Sequence, residues 1–527
     1  MSRGPAFAAL AFSVLCSLCA EVMAVPSTEP QQDWPSYNGD YSGRRHSAAA
    51  QINTNNVAKL AAAWKYKIFV GLNPGLFGKV IKSTPVISNG VLYFSVPDHC
   101  WAIDAATGKE LWHFKWQSQG GIHVGNRGVG IYKSWVYLET PDNHLVSLEA
   151  ATGKLRWAVE IADTQQQYFS GSAPLIVKDH ILVGVGGDSL DVAGFLESRD
   201  PNTGALQWRW NSQPKAGASG SETWPDEEAM SHGGGMTWMP GTYDPDLNLI
   251  YWGTGNPNPV HAGKGRVGSN LWTCSIVALD VDSGVMRWYF QASPHDTHDW
   301  DAVETPVLID DVLDGKPRKL LAQASRNGYY FLLDRKTGEN ILTTHYVDLN
   351  WSKGLTARGE PISDGAKEPK TDGALVSPRS AGATNWLGPS FDPQMGLFYV
   401  SAAESYSVFY LTDTDEHAQG YAGLDKEVWA QGTIKALDYK TGAAIWTHVF
   451  PSHSVMPLGL LSTSGGLLFS GDQSNNFIAF DSRSGRILWH YRMRAGASNG
   501  PIAYELHGQQ YVVVAGYDTL YAFSLQH

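Results

Sequence analysis

The sequence predicts an all-β protein, an eight-bladed β-propeller whose repeats are docked by tryptophan. One observation is a motif that recurs: Ala102-Ile-Asp104-Ala-Ala-Thr107-Gly108-Lys-Glu-Leu-Trp112, then Glu149 to Trp157, Asp200 to Trp208, Asp280 to Trp288, Asp438 to Trp446 and Asp481 to Trp489, with Asp334 to Gly338 keeping the turn but losing the Trp. The second is its spacing. The acids that open these turns lie 45, 51, 80, 54, 104 and 43 residues apart, and most of these intervals match one four-stranded blade.

Each copy reads as a β-hairpin: an apolar strand, a four-residue turn opened by an acid and closed by Gly, and a second strand ending in Trp. The acid can accept from turn amides, the Gly can take positive φ, and the indole is an apolar plate to lay across the next unit. The 80-residue interval implies an insertion between about Gln213 and Gly235, and the 104-residue interval has room for one more blade with a decayed motif. Trp64 in Ala62-Ala-Trp64-Lys-Tyr66-Lys is an orphan outer strand, while the C-terminal strands at Tyr511 and Tyr521 lack a closing Trp. The termini should therefore complete one blade together, which removes two free sheet edges.

Ahead of the repeats, Arg3, the apolar run Ala6 to Leu18 and the small residues around Val22-Met23-Ala24 read as a secretory signal over 1–24, leaving 25–527 as a single propeller. No later segment is apolar for long enough to span a membrane as a helix. Export to the periplasm follows as an expectation. Cys16 and Cys19 fall inside the signal and lack the His that a CxxCH haem site needs; Cys100 and Cys274 belong to different repeats and read as separate buried thiols. With 39 Lys plus Arg against 51 Asp plus Glu, the net charge of −12 gives no basic footprint for nucleic acid or anionic lipid.

Chemistry is concentrated in Ser293-Pro-His295-Asp296-Thr-His298-Asp299-Trp-Asp301, where three carboxylates and two imidazoles crowd together in a chain only 17% charged. Alone, that stretch is equally a solvated acidic loop or an active site. Asn256 in Gly253-Thr-Gly-Asn256-Pro offers a carboxamide oxygen suited to a hard cation, or simply a turn residue.

The turn-plus-Trp repeat and these segments resemble the pyrroloquinoline quinone (PQQ) dehydrogenases, in particular the methanol dehydrogenase large subunit and its quinoprotein alcohol dehydrogenase relatives. The resemblance implies PQQ and a Ca or lanthanide ion on the propeller axis. It implies Trp238, in Gly233-Gly-Gly-Met-Thr-Trp238, as the floor under the quinone, and Arg127, Arg326 and Asn385 as quinone contacts. It places Asp299 as the general base and metal ligand, Arg326 facing the reactive quinone oxygens, and Asn256 on the metal. Asp301 resembles the extra acid of the lanthanide-using members. Asp296 and His298 read as supporting groups and His295 as structural.

Departures from the pattern are specific. The usual metal-binding Glu aligns with Ser189, so Asp188, ahead of Asp191, is the expected substitute. Adjacent cysteines that roof the quinone in many relatives are replaced by Gly121-Ile122, an acidic quinone contact by Lys82, and a late Trp by Pro457. The reading is a dehydrogenase that oxidises a small-molecule alcohol and passes electrons to a separate c-type cytochrome, since no haem motif is present. A non-enzymatic binding or assembly propeller with the same repeats is the alternative.

Overall fold

The computed structural model describes Met1 and residues 33–526, apart from 72–77, 122–123, 188–190, 314, 452–457 and 473. The segment read as a signal, Asp188, Ser189, Ile122 and Pro457 lie outside the described residues. Among the described residues, eight sheets of four or five strands follow one another along the chain, antiparallel apart from the added His46–Ser47 strand of one, with one two-stranded ribbon. Blade 1 runs from Val86–Ser88 to Glu110–Lys115, blade 2 from Gly130–Tyr132 to Leu155–Glu160, blade 3 from Leu175–Val177 to Leu206–Asn211, and blade 4 from Thr242–Asp244 to Met286–Gln291. Blade 5 spans Val307–Leu313 to Asn340–His345, blade 6 Ser390–Asp392 to Ala444–Val449, and blade 7 Leu461–Thr463 to Ile487–Arg492. Blade 8 takes three strands from the C-terminus, Ile502–Leu506, Gln509–Gly516 and Thr519–Leu525, and its outer strand from Leu60–Lys67.

The joint closure of one blade by both termini is as expected. The decayed blade is not: the 104-residue interval holds the ribbon Ser352–Leu355 with Pro361–Ser363 and a tall hairpin, Leu397–Leu411 paired with Gly423–Asp438, inside blade 6. Its length went into strand extension rather than a further sheet. The eighth blade is the closing one, which carries no turn motif because its outer strand comes from the other end of the chain. The expected insertion is present between blades 3 and 4, with a short helix at Glu227–Ser231 capped by Asp226.

The repeat explains how blades dock. Asp104 Oδ1 accepts from the Thr107 amide and hydroxyl at 2.8 and 2.7 Å, and the Gly108 amide returns to the Asp104 carbonyl at 2.8 Å. The Trp sits inside the outer strand rather than ending it, and its ring lies on the motif glycine of the next blade. A Cβ on Gly153, which has φ +70°, would stand 2.6 Å from Trp112 Cε3. Trp112 Nε1 also donates to the Ala150 carbonyl at 2.9 Å, and Tyr93 Oη shares that acceptor. The same Trp and Tyr pair meets one carbonyl at Arg335 and at Ser482, and Trp64 with Tyr504 does so at Ala105, which closes the ring from blade 8 to blade 1. Where blade 5 lacks the Trp, Thr344 faces Gly442 instead.

Gly153→Ala should therefore combine a left-handed backbone with a steric clash and cost roughly 2 kcal/mol or more. Gly217→Ala, at φ +74° with nothing within 4 Å, carries only the backbone penalty. Comparing their denaturation midpoints checks this: equal shifts would mean that the Trp–Gly contact is not a docking point.

Before entering blade 8, residues 34–52 run as a belt along the inner strands. The belt bonds to blade 1 (Ile87 N to Trp34 O, 2.9 Å), blade 4 (Tyr243 N to Tyr41 O, 3.0 Å), blade 5 (Leu308 N to Ser42 O, 2.7 Å) and blade 6 (Phe391 N to Arg44 O, 2.8 Å). On blade 7, His46–Ser47 pairs in parallel with Leu461–Thr463, and Ile52 N meets Gln510 Oε1 of blade 8 at 2.8 Å. It thus covers edges that face the axis. Arg45, 1% exposed, donates to the Tyr37, Leu460 and Pro501 carbonyls. Cys100 and Cys274 are free and buried.

Candidate active site

Antiparallel order places the start of each inner strand and the end of each second strand at the same end of the propeller. Every described residue expected in the site lies at one of those points. Arg127, Trp238, Asp299, Asp301 and Asn385 precede inner strands, while Asn256 and Arg326 follow second strands. Seven residues from six loops, Asp299 and Asp301 sharing one, are thereby gathered at one end of the axis.

Their centre is a buried guanidinium between two carboxylates. Arg326 Nη2 lies 3.2 Å from Asp299 Oδ2, Arg326 Nη1 lies 3.2 Å from Asp301 Oδ2, and Nη2 also donates to the Ser380 carbonyl at 2.8 Å. Burial opposes the charge on Arg326, but Asp299, Asp301, Glu304 and Asp296 outweigh it and raise its pKa. Asp301, 1% exposed, is fixed from the other side as well: Trp238 Nε1 donates to Oδ2 and the Asn256 amide to Oδ1, each at 2.8 Å. Trp238, Asn256, Asp301, Arg326 and Asp299 thus form one connected unit.

The cluster's other members shape the loop. Asp296 Oδ2 accepts from the amides of His298, Asp299 and Trp300 at 3.3, 2.9 and 3.1 Å, which holds Asp299 in the left-handed region at φ +69°. Burial raises Asp296 to about 6 against those amide bonds. His298 stacks on Trp300 with centroids 4.3 Å apart and bonds the Lys367 carbonyl, and His295 bonds the Gly268 carbonyl. Burial lowers the two imidazoles to about 3 and about 4, so both are neutral at physiological pH.

Arg127 occupies a second region of the site. Its guanidinium lies 4.1 Å from the Trp386 ring centroid and 5.4 Å from that of Trp238. Nε and Nη1 are buried without a hydrogen-bond partner, and burial lowers the group to about 10. A cation so placed suits an anionic ligand. Likewise Asn256, whose backbone amide bonds Asp301, has its Oδ1 buried without a partner, as a hard-cation ligand would be. The donor set therefore fits both an anionic flat ring over Trp238 and a hard cation.

Asn385, an expected quinone contact, and Asp191, ranked behind Asp188 as a metal ligand, each make contacts within the protein. Asn385 turns onto its own loop, with Nδ2 to the Ala381 carbonyl at 2.9 Å and Oδ1 accepting the Trp386 amide at 2.8 Å. Asp191 accepts from the Gly420 amide at 2.9 Å, on the tip of the tall hairpin, and does not join the Arg326 unit. That hairpin also ties Ser380 to Asp425 at 2.7 Å and reaches the Val260 and His261 amides, so it leans across the site from blade 6 to blade 4. Trp386 and the belt's Tyr37, which pack with the half-buried Trp238 and with Met239 and Val303, were not read as site residues. Trp386 is adjacent to Asn385 and could have been noticed; Tyr37 has no local signal.

The family model described as "PQQ: Glucose/ethanol/alcohol dehydrogenase, beta-propeller domain" matches residues 34–363 and 449–512. Quinoprotein alcohol dehydrogenase PedH of Pseudomonas putida is 32% identical over 90% of this chain and 84% of its own length. The lanthanide-dependent methanol dehydrogenase of Methylacidiphilum fumariolicum is 31% identical over 90% of this chain and 83% of its own. A europium-containing methanol dehydrogenase structure superposes with a TM-score of 0.85 at 28% identity, covering 94% of this chain and 99% of that one. The chain belongs to the PQQ-dependent dehydrogenase family and is an oxidoreductase of the quinoprotein class. Within that family, these relatives are alcohol dehydrogenases.

Proposed function

We propose that this protein is a periplasmic dehydrogenase that oxidises an alcohol to an aldehyde or ketone and passes the electrons to a separate cytochrome. The observation that carries the reading is the Arg326 guanidinium held between Asp299 and Asp301 beside the Asn256 oxygen and the Trp238 ring. When bound, PQQ would supply a quinone able to accept hydride from the alcohol, and a Ca or lanthanide ion would supply Lewis-acid chemistry. Asp299 takes the hydroxyl proton as general base. Arg326 keeps that carboxylate oriented and presents positive charge where negative charge develops. Trp238 supports the ring, Arg127 and Asn385 hold its polar periphery, and Asn256 Oδ1, Asp299 and Asp301 are the described oxygens that would ligate the cation. Asp188 would complete that set.

Apoprotein titrated with PQQ plus calcium, or plus a light lanthanide, should show quinone binding by absorbance and alcohol-dependent reduction of an artificial acceptor. Absence of binding with either metal would overturn the proposal. Asp301→Ala should reduce lanthanide-supported activity much more than calcium-supported activity, because a further carboxylate favours a trivalent ion. An equal loss with both metals would remove Asp301 from the choice of metal.

A further inference from the structure

Lys82 lies in the loop ahead of blade 1's inner strand, at the same end of the propeller as the site, and its backbone runs beside Arg127: the Thr84 amide donates to the Arg127 carbonyl at 2.9 Å. Their side chains converge on Gly125. A Cβ there would stand 2.7 Å from Lys82 Cδ and 3.2 Å from Arg127 Nη1, so the glycine, at φ +140°, is what lets the two cations approach. Lys82 Nζ donates to the Val124 carbonyl at 2.7 Å, which turns its head toward the loop that carries Arg127. Two like charges set this close repel, and more strongly in a partly buried place than in water. Burial and then Arg127 lower Lys82 to about 8. Arg127 makes no ion pair among the described residues and has two nitrogens buried without a partner. Such an arrangement is stabilised by an anion that both cations can share.

We propose that Lys82 and Arg127 form one two-cation cradle that grips a carboxylate of the bound quinone from two sides. This deepens the functional reading given above and depends on it. In the cradle Arg127 supplies planar directed donors, while Lys82 supplies a point charge on a flexible stem.

The test measures the affinity of apoprotein for PQQ, with the metal present, by quenching of intrinsic fluorescence from low to high salt. Lys82→Met should weaken PQQ binding on the order of tenfold, the loss of one charge-assisted contact, and should flatten the salt dependence. Lys82→Arg should stay near the unaltered protein. The trimethyl ester of PQQ, which has no carboxylates, should bind Lys82→Met and the unaltered protein alike. Equal PQQ affinity and salt dependence in Lys82→Met and the unaltered protein would overturn the cradle while leaving the dehydrogenase reading intact. So would a matching loss of melting temperature and ester affinity in both variants, which would make Lys82 a loop support. Failure of the unaltered protein to bind PQQ would instead overturn the functional reading itself.

Discussion

Asp299→Asn should lower alcohol turnover about a thousandfold while leaving PQQ affinity and the melting temperature close to those of the unaltered protein. Asparagine keeps the size of the side chain but cannot accept the hydroxyl proton, and a positioned base contributes roughly two to four orders of magnitude. The site should survive the change. Arg326 retains Asp301 and the Ser380 carbonyl, and the left-handed turn is set by Asp296, which gathers the 298 to 300 amides. In the proposed site, affinity for the quinone would rest on other groups, Arg127 and Trp238 among them. Dye-linked turnover, equilibrium binding of PQQ and thermal melting on one preparation separate these quantities. Turnover within tenfold of the unaltered enzyme would transfer the base to another group. Loss of binding in step with turnover would make Asp299 a holding residue.

Legibility followed the range of the interactions. The seven turn motifs were readable because the acid and glycine act within one hairpin, each reporting its own local constraint, and the Trp that docks onto the next blade recurs at a fixed spacing beyond them. Position 342 shows the same logic in reverse: with Leu342 where the repeat puts Trp the motif fades, yet Thr344 and Leu342 still face Gly442 of the next blade. The 104-residue interval misled because length alone does not distinguish an extra sheet from longer strands; only the pairing of Leu397–Leu411 with Gly423–Asp438 decides it. The belt was invisible because most of its partners are backbone groups of blades far apart in the chain, which leave no pattern in the belt's own sequence. At the site, the acidic cluster stood out as rare residue types in a weakly charged chain, while Arg326 was marked only by the family resemblance. Trp386 and Tyr37 did not, since aromatic residues are common here and only the fold sets these two beside Arg127 and Trp238.

Removing the last fifteen residues should abolish soluble folding, although it deletes none of the proposed site residues. Thr519–Leu525 is the strand between Gln509–Gly516 and the N-terminal Leu60–Lys67, paired with both. Its loss leaves two long unpaired edges and strands Leu60–Lys67 without a sheet. Trp64, carried by that strand, would no longer be held over Gly108 and the Ala105 carbonyl, so the contact that joins blade 8 to blade 1 fails as well. The buried residues Leu520, Tyr521, Ala522 and Phe523 belong to a core shared with Trp101, Phe94 and Phe477 of blades 1 and 7, and this core would be opened on both sides. Since the proposed site is gathered from six loops at one end of the propeller, a ring that cannot close has no axis at which to bring them together. Expression of the truncated chain should give insoluble protein, or soluble material with no cooperative melting transition and no PQQ binding. A soluble truncation that melts cooperatively would show that the docking of blades 1 to 7, with the belt across their inner edges, suffices to hold the ring.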